Sequence, residues 1–254
     1  MRYIILCIVT GNLSMRKYLG SIAIGGLFIA VVFLGGAWLL EGRNGWRDFM
    51  LSMSEWRLPR CEALSGRAGI RNIAWNGGES VGVAIPATLR YAPGTGDQVR
   101  IAGDASLIPH VYIDENDIKL NCRSAELTPE SLTITMPGER RFQSFSLAGV
   151  TNLILNNIDQ PELHFNLAGS SHVVAKGRVD NIHINGAGLS DAKLGDLAVT
   201  DAHMNLAGAS KVEIAATGVL QINAAGAVTV VLRAEPESLR THIMGSGRII
   251  HQSR

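Results

Sequence analysis

Three histidines, His164, His183 and His203, stand at nearly equal steps, each five residues before a glycine (Gly169, Gly188, Gly208) in a small-residue turn. If the chain is extended and folds back on itself at that period, the three imidazoles project from one sheet at the strand spacing, about 4.8 Å. Neutral imidazoles at such a spacing are ligands a divalent metal accepts. Two protonated neighbours would repel by about 1 kcal/mol in water, so the column also resists charging and answers to pH. The plain structural reading is an outward strip of polar, β-compatible side chains. With Gly149, Gly226 and Gly247 as the other turn glycines, the column runs on through Ser144, Gln221 and His242.

A second column stands three residues before each turn: Ser146, Asn166, Asn185, Asn205, Asn223 and Met244. Stacked amides can bond from one repeat to the next, each bond contributing about 0.5–1.5 kcal/mol net. This is a structural ladder.

Hydrolysis or elimination on a polysaccharide needs paired carboxylates at a fixed separation, or an aspartate column holding calcium beside a base. Asp159, Asp180, Asp191, Asp196 and Asp201 fall at different offsets from their turn glycines and read as turn residues. The sequence contains no GxSxG, HExxH or phosphate-loop motif. No catalytic residue and no cofactor is expected. A formal charge of +1 gives no reason to expect nucleic acid as a partner.

The element that positions these columns is a repeat. FSLAG ends at Gly149, FNLAG at Gly169, INGAG at Gly188, MNLAG at Gly208, INAAG at Gly226 and IMGSG at Gly247. Within a copy the apolar period is two: Leu163, Phe165 and Leu167 face one way, His164 and Asn166 the other. Alternation resumes after each glycine, as in Val173/Ala175 and Val212/Ile214. Each copy therefore predicts strand, tight turn, strand and a second turn near Asn157, Gly177 or Gly218. Two short strands cannot cover an apolar face alone, so the copies must stack. Small residues (Ala148, Ala168, Ala187, Ala207, Ala225, Ser246) precede the turn glycines, which are expected at positive φ. Upstream, Val81–Tyr91, Val99–Gly103, Val111–Ile113, Ile118–Leu120 and Leu132–Met136 read as early, distorted coils capping the stack. The last coil has no polar cap, which predicts self-association or docking there.

The N-terminal end is of another kind. Residues 19–40 carry no charge, and as a helix 22 residues rise about 33 Å, enough for a hydrocarbon core of about 30 Å. Arg16 and Lys17 precede the run, placing the N-terminus in the cytoplasm and the rest outside it. The run is longer than a cleavable signal core, so an uncleaved anchor is favoured over export after cleavage. Residues 41–71, rich in Arg with Trp46 and Trp56, read as a linker or a short amphipathic helix. Of three cysteines, Cys61 and Cys122 can pair in an oxidising compartment, but two unpaired buried thiols are the favoured state.

The segments Ile184-Asn185-Gly186-Ala187-Gly188, Ile222-Asn223-Ala224-Ala225-Gly226 and Gly245-Ser246-Gly247 make residues 98–250 resemble the bacterial auto-transporter adhesin, head GIN domain family. The resemblance implies a right-handed, single-stranded parallel β-helix, shaped like pectin-lyase solenoids without their catalytic residues. It also implies envelope placement.

The expected architecture is a cytoplasmic segment (1–18), an anchor (19–40), a juxtamembrane stretch (41–71) and an all-β solenoid (72–254), regular from about 143. The expected function is a non-enzymatic, envelope-exposed module that presents its sheets to a protein or glycan. The alternatives are a polysaccharide-active enzyme on the same fold and a membrane-anchored sensor or assembly module.

Overall fold

The computed structural model describes residues 58–123 and 126–252. Segments 1–18 and 19–40, and most of 41–71, lie outside them. Among the described residues no helix is long and apolar enough to cross a membrane. The unit Pro59–Arg254 is all-β: β1 (Ala68–Ala74), β2 (Ser80–Val83), β3 (Ala87–Tyr91), β4 (Gln98–Asp104), β5 (Val111–Asp114), β6 (Asp117–Leu120), β7 (Leu132–Thr135), β8 (Ser144–Ala216), β9 (Val219–Leu232) and β10 (Ser238–His251).

The repeats form extended backbone that bends at glycine. β8 runs through Gly149, Gly169, Gly188 and Gly208, all at positive φ. Parallel pairing links repeats at the expected period: Ala202 to Ile214 of β8 lie beside Leu220 to Leu232 of β9, and Val219 to Leu232 of β9 beside Ser238 to His251 of β10. Side chains therefore alternate between the interior and solvent along each repeat.

The last repeat departs from the sequence reading. Gly245, not Gly247, pairs with Gly226 and takes positive φ, +117°. A Cβ on Gly245 would meet the Gly226 carbonyl oxygen at 2.6 Å, so this position needs glycine. The shift of two residues places Arg240 beside Gln221, His242 beside Asn223 and Met244 beside Ala225. His242 therefore ends the amide column, Arg240 ends the imidazole column, and Met244 takes the small-residue slot.

The upstream region is also corrected. β2 and β3 do lie parallel to β8, Ser80–Val83 against Ser144–Leu147 and Ala87–Tyr91 against Thr151–Leu155. β6 and β7 continue this parallel stack, Asp117 and Ile118 beside Gly82 and Val83 and Thr133 to Thr135 beside Thr88 to Arg90, whereas β1, β4 and β5 are not coils of that kind. β1 pairs antiparallel with β4, β4 antiparallel with β7, and β5 with β6 as a hairpin over Glu115 and Asn116. Alternation of apolar residues is the same in either pairing direction, so the pattern alone could not separate them.

The core is the inward set of every repeat. Phe145, Phe165, Ile184, Met204 and Ile222 succeed one another in one interior column, each at most 1% exposed. Burying side chains of this size contributes about 1.5–3 kcal/mol apiece. The N-terminal end of the column is filled with rings: Phe142 packs edge-on against Trp75 at 5.6 Å and Tyr91 at 5.2 Å, and Phe145 lies 6.2 Å from Phe165. The Tyr91 hydroxyl donates to the Arg140 carbonyl at 2.8 Å, so its polar tip is satisfied.

Two clamps hold the start of the unit. The favoured two-thiol state is corrected: Cys61 and Cys122 are disulfide-bonded, with Cα atoms 4.9 Å apart. Backbone pairing holds them in place, as Cys61 N donates to the Arg123 carbonyl at 3.0 Å and Arg123 N to the Pro59 carbonyl at 2.9 Å. Closing a loop of 61 residues stabilises by about 4 kcal/mol in the chain-entropy treatment. The second clamp is the Asp104 carboxylate. Its Oδ1 accepts from the hydroxyls of Ser106 (2.6 Å) and Ser65 (2.8 Å), and its Oδ2 from Gly66 N (2.7 Å). These bonds, those from Ser106 foremost, hold its pKa far below the ordinary carboxylate range.

Candidate functional site

On the outward face of the strands leading into the turns, the structure brings the predicted histidines together. The His183 ring stacks on His164 with centroids 4.8 Å apart and planes within 10°, and His203 continues the stack at 5.1 Å. The lone pairs of stacked imidazoles lie in parallel planes and do not converge. Among the described residues, no group of three or more His, Cys, Asp or Glu side chains is placed to hold a metal ion. What the arrangement offers is a strip of hydrogen-bonding ring edges that can acquire charge.

Glu162, which the column reading overlooked, caps the strip. Its Oε1 lies 3.0 Å from His164 Nε2 and 3.8 Å from His183 Nε2. Partial burial, then the flanking His164 and His203 rings, push the His183 pKa below its ordinary value, while Glu162 pulls it upward. The signal for Glu162 in the sequence is its position two residues before His164, which the strand's alternation places on the same face.

Two residues along each strand run the amides. Asn185 Nδ2 donates to Asn166 Oδ1, Asn205 Nδ2 to Asn185 Oδ1 and Asn223 Nδ2 to Asn205 Oδ1, each at 3.0 Å. Asn166 Nδ2 reaches Ser146 Oγ at 3.4 Å. Each interior amide thus commits one N–H and one acceptor position, and keeps a second N–H. Beside the ladder lies a shallow channel of about 460 Å³, floored by Ala148, Ala168, Gly186 and Ala187 and walled by Asn166, Asn185 and Asn205. The small residues before each turn create this depression. Gly169, Gly188, Gly208 and Gly226 stack at its margin, each beneath the carbonyl of the preceding turn glycine.

Beyond the turns, a second groove of about 470 Å³ includes His172, Leu189, Asp191 and Lys211. His172 Nδ1 lies 3.2 Å from Asp191 Oδ2. Behind it stand Ser171, Ser190 and Ser210, each two residues past a turn glycine, with buried hydroxyls that have no hydrogen-bond partner. Thr151 begins this column and is satisfied by the Ile85 carbonyl at 3.2 Å. The aspartates considered for catalysis are dispersed: Asp180 pairs with Arg178 at 3.7 Å, Asp196 with Lys176 at 3.4 Å, Asp201 accepts from Val219 N at 2.6 Å, and Asp159 is exposed.

Comparison with known proteins bears on what carries these columns. A crystal structure from Bacteroides fragilis, described as a "putative adhesin", aligns with a TM-score of 0.58 at 15% identity, over 74% of this chain and 99% of that one. Another, from Parabacteroides distasonis and likewise described as a "putative adhesin", aligns at 15% identity with a TM-score of 0.43, over 74% and 98%. At such identity the first likeness speaks to fold alone. No curated protein matches the sequence. A family profile described as "Putative auto-transporter adhesin, head GIN domain" matches residues 79–236, a span that includes the imidazole stack and the whole amide ladder. The chain belongs to that auto-transporter adhesin, head GIN domain family.

Proposed function

We propose that this protein is a non-enzymatic, envelope-exposed binding module. In this reading residues 144–251 wind as a right-handed, single-stranded parallel β-helix that presents the amide ladder, the imidazole stack and the channel between turns to an extended ligand. Residues 19–40 anchor it in the inner membrane, with the β unit on the periplasmic side. The Cys61–Cys122 disulfide supports an oxidising compartment.

The observation that carries this reading is continuity. Four asparagines from successive repeats are bonded into one column beside a channel that spans several repeats. A binding surface repeated at a fixed interval suits a linear ligand lying across the strands, because each ligand unit meets an equivalent set of donors. The adhesin character of the family supports the same class of role.

The test is retention of envelope polysaccharides and envelope proteins by the full chain in non-ionic detergent, alongside Ala187→Trp, which fills the channel floor. Capture by the native chain and its loss in the variant is the expected outcome. Equal capture by both would remove this face from the account.

A further inference from the structure

We infer that the face carrying His164, His183 and His203 is a pH-gated site for a linear anionic glycan, whose acidic groups lie along the imidazole column. The inference rests on the reading of this face as the binding surface and names the chemistry of its ligand.

The corrected register of the last repeat makes the face more basic than the sequence suggested. Arg240 follows Gln221 at the foot of the imidazole column, and His242 follows Asn223 at the foot of the amide column. The groups facing His183 are the His164 and His203 rings on either side and the Glu162 carboxylate. The other nearby acid, Asp201, is engaged by the Val219 backbone N–H. Above the imidazole range the strip is close to neutral. Protonated imidazoles in this stack stand about 5 Å apart, with the carboxylates of Glu162 and Asp201 to offset part of their charge.

Those charges repel one another, and the burial and flanking rings that lower the His183 pKa already work against protonation. An anionic group laid against the stack relieves the repulsion. Binding therefore takes up protons and strengthens as pH falls. The spare N–H of each interior amide in the ladder is a donor for ligand hydroxyls, at the same interval as the charges.

A glycan fits better than a folded protein surface. Among the exposed large apolar side chains, Ile70, Tyr112, Val150 and Leu189 lie outside the two columns, and Leu239 and Met244 flank only their foot. Protein interfaces take most of their binding energy from buried aromatic, aliphatic or arginine anchors at their centre. Here the centre is amide and imidazole.

The experiment is calorimetric titration of the full chain in non-ionic detergent with oligogalacturonide, a neutral cello-oligosaccharide and a single-stranded DNA oligonucleotide, at pH 5.5 and 7.5. The variant is His164→Gln/His183→Gln/His203→Gln, and glutamine already occupies this column at Gln221. Oligogalacturonide should bind at least tenfold more tightly at pH 5.5 than at 7.5, and the triple variant should lose that difference. Equal affinity at both pH values, pH dependence that persists in the variant, or DNA binding as tight as the glycan would overturn the inference. Binding of the neutral oligosaccharide alone, abolished by Ala187→Trp, would overturn the anionic assignment and leave the binding face standing. No glycan bound under any condition would overturn both.

Discussion

Asn185 donates its side-chain N–H to Asn166 Oδ1 at 3.0 Å and accepts one from Asn205 at the same distance, so it bonds the repeats on both sides of its own. Asn185→Ala removes both bonds. At about 0.5–1.5 kcal/mol each, the expected loss is about 1–3 kcal/mol by urea denaturation. Asn152→Ala, on a strand beyond the turn, should cost less than 0.5 kcal/mol if it is an ordinary surface change.

The turn glycines are not equivalent. At Gly188 φ is +110°, and a Cβ would meet the Gly169 carbonyl oxygen at 2.6 Å and its nitrogen at 3.2 Å, backbone that cannot swing aside. Gly149 has φ +86° but open space around an added Cβ. Gly149→Ala should cost about 1–2 kcal/mol, the penalty of the left-handed conformation. Gly188→Ala should cost that and about 1–3 kcal/mol more for overpacking. Thermal unfolding of the pair, in one buffer, checks the order.

Folding holds His183 below its ordinary pKa of 6.5, so the unfolded chain binds this proton more readily than the folded one. Its contribution to stability is complete above pH 6.5 and is lost as pH falls from there through the lower folded value. Without ligand, the melting temperature should therefore drop from pH 7.5 to 5.5 by more in the native chain than in His183→Gln. A proton NMR titration should place the His183 midpoint below 6.5.

The hydroxyl of Ser190 is buried and has no hydrogen-bond partner. A buried, unsatisfied polar group costs about 1–3 kcal/mol, so replacing it with an apolar atom of similar shape relieves a penalty. Ser190→Ala should leave Tm unchanged or raise it by a few degrees. Thr151→Ala, which removes a bond to the Ile85 carbonyl at 3.2 Å, should lower it.

The columns were legible because two periods coincide in the chain. An alternation of two decides which side chains face outward, and a glycine turn recurring every 18 to 20 residues decides which of them meet. His164, His183 and His203 could therefore be placed in one stack from spacing alone. The last repeat misled because Gly245-Ser246-Gly247 offers two candidates, and the choice of Gly247 overlooked that Gly245 keeps the shorter, more regular step. The antiparallel pairing of β1, β4 and β5 was illegible because apolar alternation does not encode pairing direction. Glu162 was missed because an acid does not recur in every repeat at its position, where Asn181 and then Asp201 follow. The unpartnered serines were readable, each two residues past a turn glycine, yet small polar residues near a turn carry no mark of burial.

Side-chain amide spectroscopy tests the central claim most directly. In the full chain at pH 5.5, adding oligogalacturonide should shift the Asn166, Asn185, Asn205 and Asn223 amide resonances together, with those of Asn152 and Asn157 unmoved. If the four ladder amides stay fixed while resonances around His172, Asp191 and Lys211 move, the ligand lies in the groove beyond the turns and the proposed face is the wrong one.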